Sequence, residues 1–190
     1  MDDQPACGLA GGARCWRRVA KTFVKAFSRS LPVVVPSGFC ATMVSHYLPG
    51  LAGVEPCDVW ELSAFLDAPG AGLVRRNEGR KVACHGSCQM LRELGIHRQP
   101  RRLLGRSGAE IVLLPRPDLC CGFGGTFSVR RAEVSLAMAD DRLAGVGAGR
   151  AEALVTADPG WLMHLRGRAE RTGGPRIVHL ATAPARGVDP

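Results

Sequence analysis

Short apolar runs alternate with longer amphipathic stretches along this chain. From Arg17 to Phe27, the residues Val19, Phe23, Val24 and Phe27 recur at helical spacing with basic residues between them, which predicts an amphipathic helix. Leu31 to Val35 is a short β-branched run among prolines and reads as a buried strand. It opens into Pro36-Ser37-Gly38-Phe39-Cys40, and Ala41 to Leu48 continues as a helix. Pro56 to Leu66 reads as a further amphipathic helix, and the Gly-, Pro- and charge-rich stretch from Ala68 to Gly79 as a linker.

The plan then repeats. Arg80 to Ala83 is a short strand leading to Cys84-His85-Gly86-Ser87-Cys88, followed by a helix through Leu94 that Gly95 stops. Ile111 to Leu114 is a strand that enters Cys120-Cys121-Gly122-Phe123-Gly124-Gly125. Thr126 is expected to cap the next segment, and Val134 to Leu143 is helical. Ala153 to Thr156 is a strand leading to Asp158-Pro159-Gly160 and a helix from Trp161, and Ile177 to Leu180 is the last strand. Strands alternating with helices imply an α/β fold, with parallel sheets flanked by helices. Each notable cysteine then lies just past a strand, at the carboxyl edge where such sheets hold ligands.

A length of 190 residues admits one domain or two half-domains, and the linker divides the chain into 1–70 and 80–183. No apolar run reaches the roughly 18 residues of a membrane span. Met1 to Gly12 carries two acids and no basic-then-apolar order, so no secretory signal is expected and the setting is cytoplasmic. In a reducing compartment, eight cysteines read first as metal or redox residues. The net charge is +8, and of the 25 basic residues only Lys21, Lys25 and Lys81 are lysines. Arginine clusters at 75–76, 98–106 and 166–176 lack the aromatic interleaving of a nucleic-acid surface, so a solvated face or an acidic protein partner is the expectation.

The adjacent cysteines Cys120 and Cys121 are a poor structural choice, because neighbouring residues form a strained disulfide. They are a good ligand pair once Gly122, Gly124 and Gly125 let the chain turn and present N–H groups to thiolate or sulfide. A soft iron or zinc centre is the chemistry this suggests. Cys40, Cys88 and the Cys120-Cys121 pair share one local pattern, in which a strand and a turn of small residues lead to a cysteine at or before a helix. A thiol–disulfide oxidoreductase is disfavoured, because the chain has no Cys-x-x-Cys and Cys84 to Cys88 is one residue too long. A nucleotide-dependent dehydrogenase is disfavoured too, since no glycine-rich nucleotide loop follows a strand.

The segments VVVPSGFCATM, CHGSCQMLRELGI, CCGFGGTFSV and LVTADPGWLMHLRG resemble the cysteine-rich (CCG) domain family, and within it the lactate utilization A group of iron–sulfur oxidoreductases. The resemblance runs from Ala20 to Ala181 and is most specific at CCGFGGTFSV. It implies two similar halves, each with a lone cysteine, a Cys-Cys-Gly loop and a later cysteine that ligate iron–sulfur clusters, expected as 4Fe–4S. The implied task is electron transfer during oxidation of lactate, or of glycolate, with a ferredoxin-like iron–sulfur subunit and a third subunit as partners. Carried over, Cys88 is the lone cysteine of the second half, Cys120 and Cys121 its pair, and Cys40 the closing cysteine of the first half. His85 and His164 match family positions.

The departures are as informative. Trp161 stands where the second half should close with a cysteine, and the first Cys-Cys-Gly survives only as Ala6-Cys7-Gly8. The family's first strand and its cysteine are not in the sequence, so the first half is expected to be incomplete and N-terminally truncated. One site would offer Cys88, Cys120 and Cys121, with Cys84 or His85 as a further ligand, and the other site Cys40 and Cys7. Cys15 and Cys57 have no family counterpart and read as structural. Two functions remain open on these grounds: an iron–sulfur electron-transfer subunit, or a truncated relative that binds a partner or zinc without a redox cluster.

Overall fold

A computed structural model describes residues 12–27, 31–53, 57–68, 72 and 75–188, apart from the side chains of 12–16 and 52. Helix α1 (Gly12–Ala26) precedes strand β1 (Val33–Val35). A continuous helical stretch follows, made of α2 (Gly38–Thr42), a π-helical turn (Met43–Tyr47) and α3 (Leu48–Ala52), the last ended by Gly53 in the left-handed conformation (φ 64°). Strand β2 (Val59–Glu61) and helix α4 (Leu62–Leu66) complete this segment. β1 and β2 form a two-stranded parallel sheet in the register Val33↔Val59 to Val35↔Glu61. The single helix expected over Pro56 to Leu66 is therefore a strand followed by a short helix. Val59 and Trp60 suit a pleated strand beside β1. Glu61 then caps α4, its Oε2 accepting the Ser63 N–H at 2.8 Å and the Ala64 N–H at 3.3 Å.

The second segment runs through β3 (Lys81–His85), α5 (Cys88–Arg92), α6 (Gln99–Arg106), β4 (Glu110–Val112), α7 (Thr126–Arg130) and α8 (Ala132–Ala148). It ends with β5 (Ala153–Thr156), α9 (Pro159–Thr172), β6 (Arg176–His179) and α10 (Ala183–Arg186). Its four parallel strands lie in the order β4–β3–β5–β6. The order changes direction between β3 and β5, which opens a crevice past their carboxyl ends. Both faces of this sheet are covered, as its uninterrupted apolar strands require. On one face Val82, Cys84, Val155 and Val178 pack with Met90 of α5 and Leu103 and Leu104 of α6. On the other, Ala83, Leu154 and Ile177 pack with Ala139 and Leu143 of α8 and Leu165 of α9. The fold is α/β, with parallel sheets flanked by helices.

Helix α6 lies within the stretch 98–106, which by its sequence is a basic cluster with no helix expected. Leu103 and Leu104 are fully buried, and Arg102 pairs with Asp67. Much of that positive charge is therefore the wet side of a packed helix. Thr126 does not cap α7. It is the first residue of that helix, and Gly125 holds the cap position with no side-chain bond. No described helix is long and apolar enough to cross a membrane.

The two segments are joined through Asp158, which is 1% exposed. It occupies the N-cap position of its own helix α9, yet its Oδ1 accepts from Ser37 Oγ at 2.6 Å and from the Phe39 N–H at 2.8 Å. Asp158 thus caps α2 from across the molecule, beside Ser37, whose Oγ accepts the Cys40 N–H at 3.1 Å.

Candidate metal centre

The candidate centre sits past the carboxyl ends of β3 and β4. β3 delivers Gly86 and Ser87, and Ser87 Oγ accepts the Met90 N–H at 3.2 Å, which starts α5 at Cys88. β4 delivers the loop to Cys120 and Cys121. Buried Leu114 anchors that loop in the α8 core, and Arg142 of α8 fixes its course. The Arg142 side chain is 2% exposed, and its guanidinium donates to the carbonyls of Arg116 (2.9 Å), Pro117 (3.5 Å) and Leu119. Its buried positive charge therefore lies close to Cys120 and Cys121, with Asp118 also nearby.

After Cys121 the chain turns with Gly122, Gly124 and Gly125 at φ 85°, 67° and 56°, the left-handed region where a side chain is strained. A Cβ on Gly122 would also drive into the Ser135 carbonyl oxygen and approach Met138 Cβ at 2.9 Å. Two side chains clamp this turn from below. Ser135 Oγ donates to the Gly122 carbonyl at 2.7 Å, and His164 Nε2 lies 3.1 Å from the Cys121 carbonyl. A carbonyl only accepts, so that nitrogen carries the proton. Burial lowers the His164 pKa, which favours the same neutral form.

Cys88 and Cys120 line one cavity, although 31 residues intervene in the chain. Donation by Cys88 pulls Cys120 down to about 6, helped by the Gly122 N–H at 3.5 Å from its sulfur and by Arg92. The same bond, together with burial, raises Cys88. Both cysteines, with Arg92, Gly122, Phe127 and Met138, line a cavity of about 390 Å³.

Cys121 does not share that surface. It is fully buried among Leu114, Ala139, Leu143 and Trp161, and burial pushes its thiol up to about 12. Trp161, at the expected closing cysteine, is 7% exposed, with its ring 5.6 Å from that of Phe123. The indole and Cys121 thus belong to one apolar core beneath the loop. Cys84 points to the opposite face of the sheet, packed with Met90, and burial raises it to about 12. His85 is 2% exposed with neither ring nitrogen hydrogen-bonded, and burial lowers it to about 3. Cys40 is exposed on α2 and does not line the cavity, although α2 packs against α5. Cys57 is half-buried and is not part of the cavity lining. Cys7, Ala6 and the side chain of Cys15 lie outside the described residues.

Among the described residues no group of three or more His, Cys, Asp or Glu side chains is placed to hold a metal ion. The donors present fit a thiolate-held centre at two points, Cys88 and Cys120, with the Gly122 N–H and an open cavity beside them. Arg142 and Asp158 were not singled out from the sequence. Arg142 had a legible signal: it falls among Ala139, Leu143 and Val146 on the buried side of α8, where a lone arginine demands a partner.

The Cysteine-rich domain family matches residues 82–166, which span β3 to α9 and contain Cys88, Cys120 and Cys121. Lactate utilization protein A 2 of Bacillus cereus (strain AH820) is 35% identical over 209 aligned positions, covering 99% of this chain and 85% of that protein. The same-named protein of Bacillus cereus (strain Q1) is 36% identical over 204 positions, covering 98% and 84%. Lactate utilization protein A of Bacillus velezensis is 36% identical over 178 positions, covering 87% and 74%. With a thiol site at the carboxyl edge of a cysteine-rich domain, and with likeness of this extent, the chain belongs to the lactate utilization protein A family.

Proposed function

We propose that this chain is an iron–sulfur electron-transfer subunit of a complex that oxidises lactate, or the related 2-hydroxy acid glycolate. The observation that carries the reading is that Cys88 and Cys120, brought from separate strand ends, line one open cavity. The names of the relatives support lactate as substrate of the pathway served. A 4Fe–4S cluster, when bound, would supply one-electron transfer. Cys88 and Cys120 would hold it, while Cys121 stays packed in the core beneath the loop. The protein's own work is to present donors and exclude bulk water. Gly122 gives an N–H to sulfur, Phe127 and Met138 wall the cavity, and Arg142 places positive charge under the thiolate loop. None of these residues acts as a general acid or base in this role, and the oxidation itself would occur on a partner. A ferredoxin-like subunit and a third subunit are the partners this reading calls for.

Anaerobic purification should yield a brown protein with iron and acid-labile sulfide. Cys88→Ser and Cys120→Ser should each lose most of both, while Cys57→Ser retains them. A colourless protein after careful reconstitution, or equal behaviour of Cys57 and Cys120 variants, would refute the assignment. A second reading has its own support, because only two thiols meet among the described residues and Trp161 fills the closing position. Under that reading the chain holds zinc, or no metal, and serves as a partner-binding protein. Stoichiometric zinc without sulfide would establish it.

A further inference from the structure

We propose that Cys88 and Cys120 of the metal-free chain are a reversible oxidation site, closing a disulfide by exchange with low-molecular-weight disulfides of the glutathione class. The proposal goes beyond electron transfer and stands whether or not that reading holds. It rests on placement. The two side chains line the same cavity of about 390 Å³, which gives a small disulfide access to both sulfurs. The other pairings of cysteines near in sequence, already disfavoured by their spacing, are blocked by the fold as well. Cys121 is fully buried in the core under α8, and Cys84 is buried on the opposite face of the sheet, so neither Cys120–Cys121 nor Cys84–Cys88 can close without dismantling a core. Cys40 and Cys57 lie off the cavity. Arg92 lines the same cavity and favours anionic disulfides, although Glu93 beside it moderates the preference.

The chemistry balances without a metal. The Cys120 sulfur attacks one sulfur of the small disulfide, breaking its S–S bond. A mixed disulfide forms on Cys120 and the first small thiol leaves. Cys88 then gives up its proton, attacks the Cys120 sulfur and expels the second small thiol. Two cysteine thiols are oxidised by two electrons, and one small disulfide is reduced to two thiols. The product ties the end of β3 to the end of β4 and consumes both sulfurs that face the cavity. Oxidised chain therefore cannot take metal at this position until a thiol reductant reopens it.

The test uses full-length protein stripped of metal with a chelator, reduced, desalted and then incubated with oxidised glutathione. Remaining thiols are alkylated, and the linked peptides are mapped by mass spectrometry. The expected result is loss of two alkylatable thiols, one peptide link joining Cys88 to Cys120, and full reversal by dithiothreitol. Cys88→Ser should stop at a glutathione adduct on Cys120, and Cys121→Ser should still form the link. Far-UV circular dichroism checks that the variants are folded, and the wild-type map decides the question without them. No thiol loss, a link to any other cysteine (Cys7 and Cys15 included), or adducts without a link in wild type would overturn the proposal. The electron-transfer reading fails on a different result, the absence of iron and sulfide after reconstitution.

Discussion

Gly122 concentrates the demands of the site in one residue. Its φ of 85° and the nearness of the Ser135 carbonyl leave no room for a side chain. Gly122→Ala should cost at least about 1–2 kcal/mol from the backbone conformation alone, with the clash added. The loop should also shift, so that thermal unfolding comes earlier and iron retention falls together. Unchanged stability and unchanged iron would show that the turn is not needed in this form. The turn was legible in the sequence, because three glycines after two cysteines leave few other uses. What Cys121 does was not legible. Adjacent residues in a loop face different ways, and only the packing shows that Cys120 meets the cavity while Cys121 is covered. Trp161 stands in a cysteine's place, and the structure gives it a positive role, packing at a tilt against Phe123 in the core that holds Cys121.

At the scale of elements, a buried arginine within helix α8 and a buried carboxyl at the head of helix α4 each have a consequence. Arg142 of α8 holds three carbonyls of the loop before Cys120. Arg142→Met should lower stability by about 1–3 kcal/mol, set by the hydrogen bonds lost. It should also raise hydrogen exchange across 116–121 while the strands stay protected. Uniform exchange across the whole chain would instead indicate general destabilisation. Glu61 at the head of α4 is 3% exposed with Oε1 unpartnered, and burial raises its pKa above 4.5, with the charge of Asp158 adding to the shift. A carboxyl raised in the folded state favours folding while it is protonated. Its contribution is complete below pH 4.5 and is lost as pH rises through the raised value. Glu61→Gln should therefore gain stability relative to wild type as pH climbs through that window, and parallel pH–stability curves would contradict this. The strands β3, β5 and β6 were legible within a residue or two, since their apolar runs have one interpretation when both faces are buried. Helix α6 was hidden because its arginines dominate its composition and its apolar content is a single Leu-Leu pair.

For the whole molecule, the polar contacts described between the two segments include the exposed Arg102–Asp67 pair and the buried Asp158 bonds to Ser37 and Phe39. Asp158→Ala removes a cap worth about 0.5–2 kcal/mol. Amides at Phe39 and Cys40 should exchange faster, while those of β3 and β5 keep their protection. Equal loss in both places would mean that the segments unfold as one unit. The division at the linker was read from composition, but the bridge across it could not be. Asp158 sits in an Asp-Pro-Gly turn that looks complete by itself, and its partner lies 121 positions away.

Asp158 is also the first joint of a rigid lever. Pro159, Trp161 and His164 belong to the helix it begins, and His164 grips the Cys121 carbonyl two turns along. A molecule that grasps the small β1–β2 layer and pulls would load that rod at one end. The strain would be delivered at the other end, directly beneath the sulfurs.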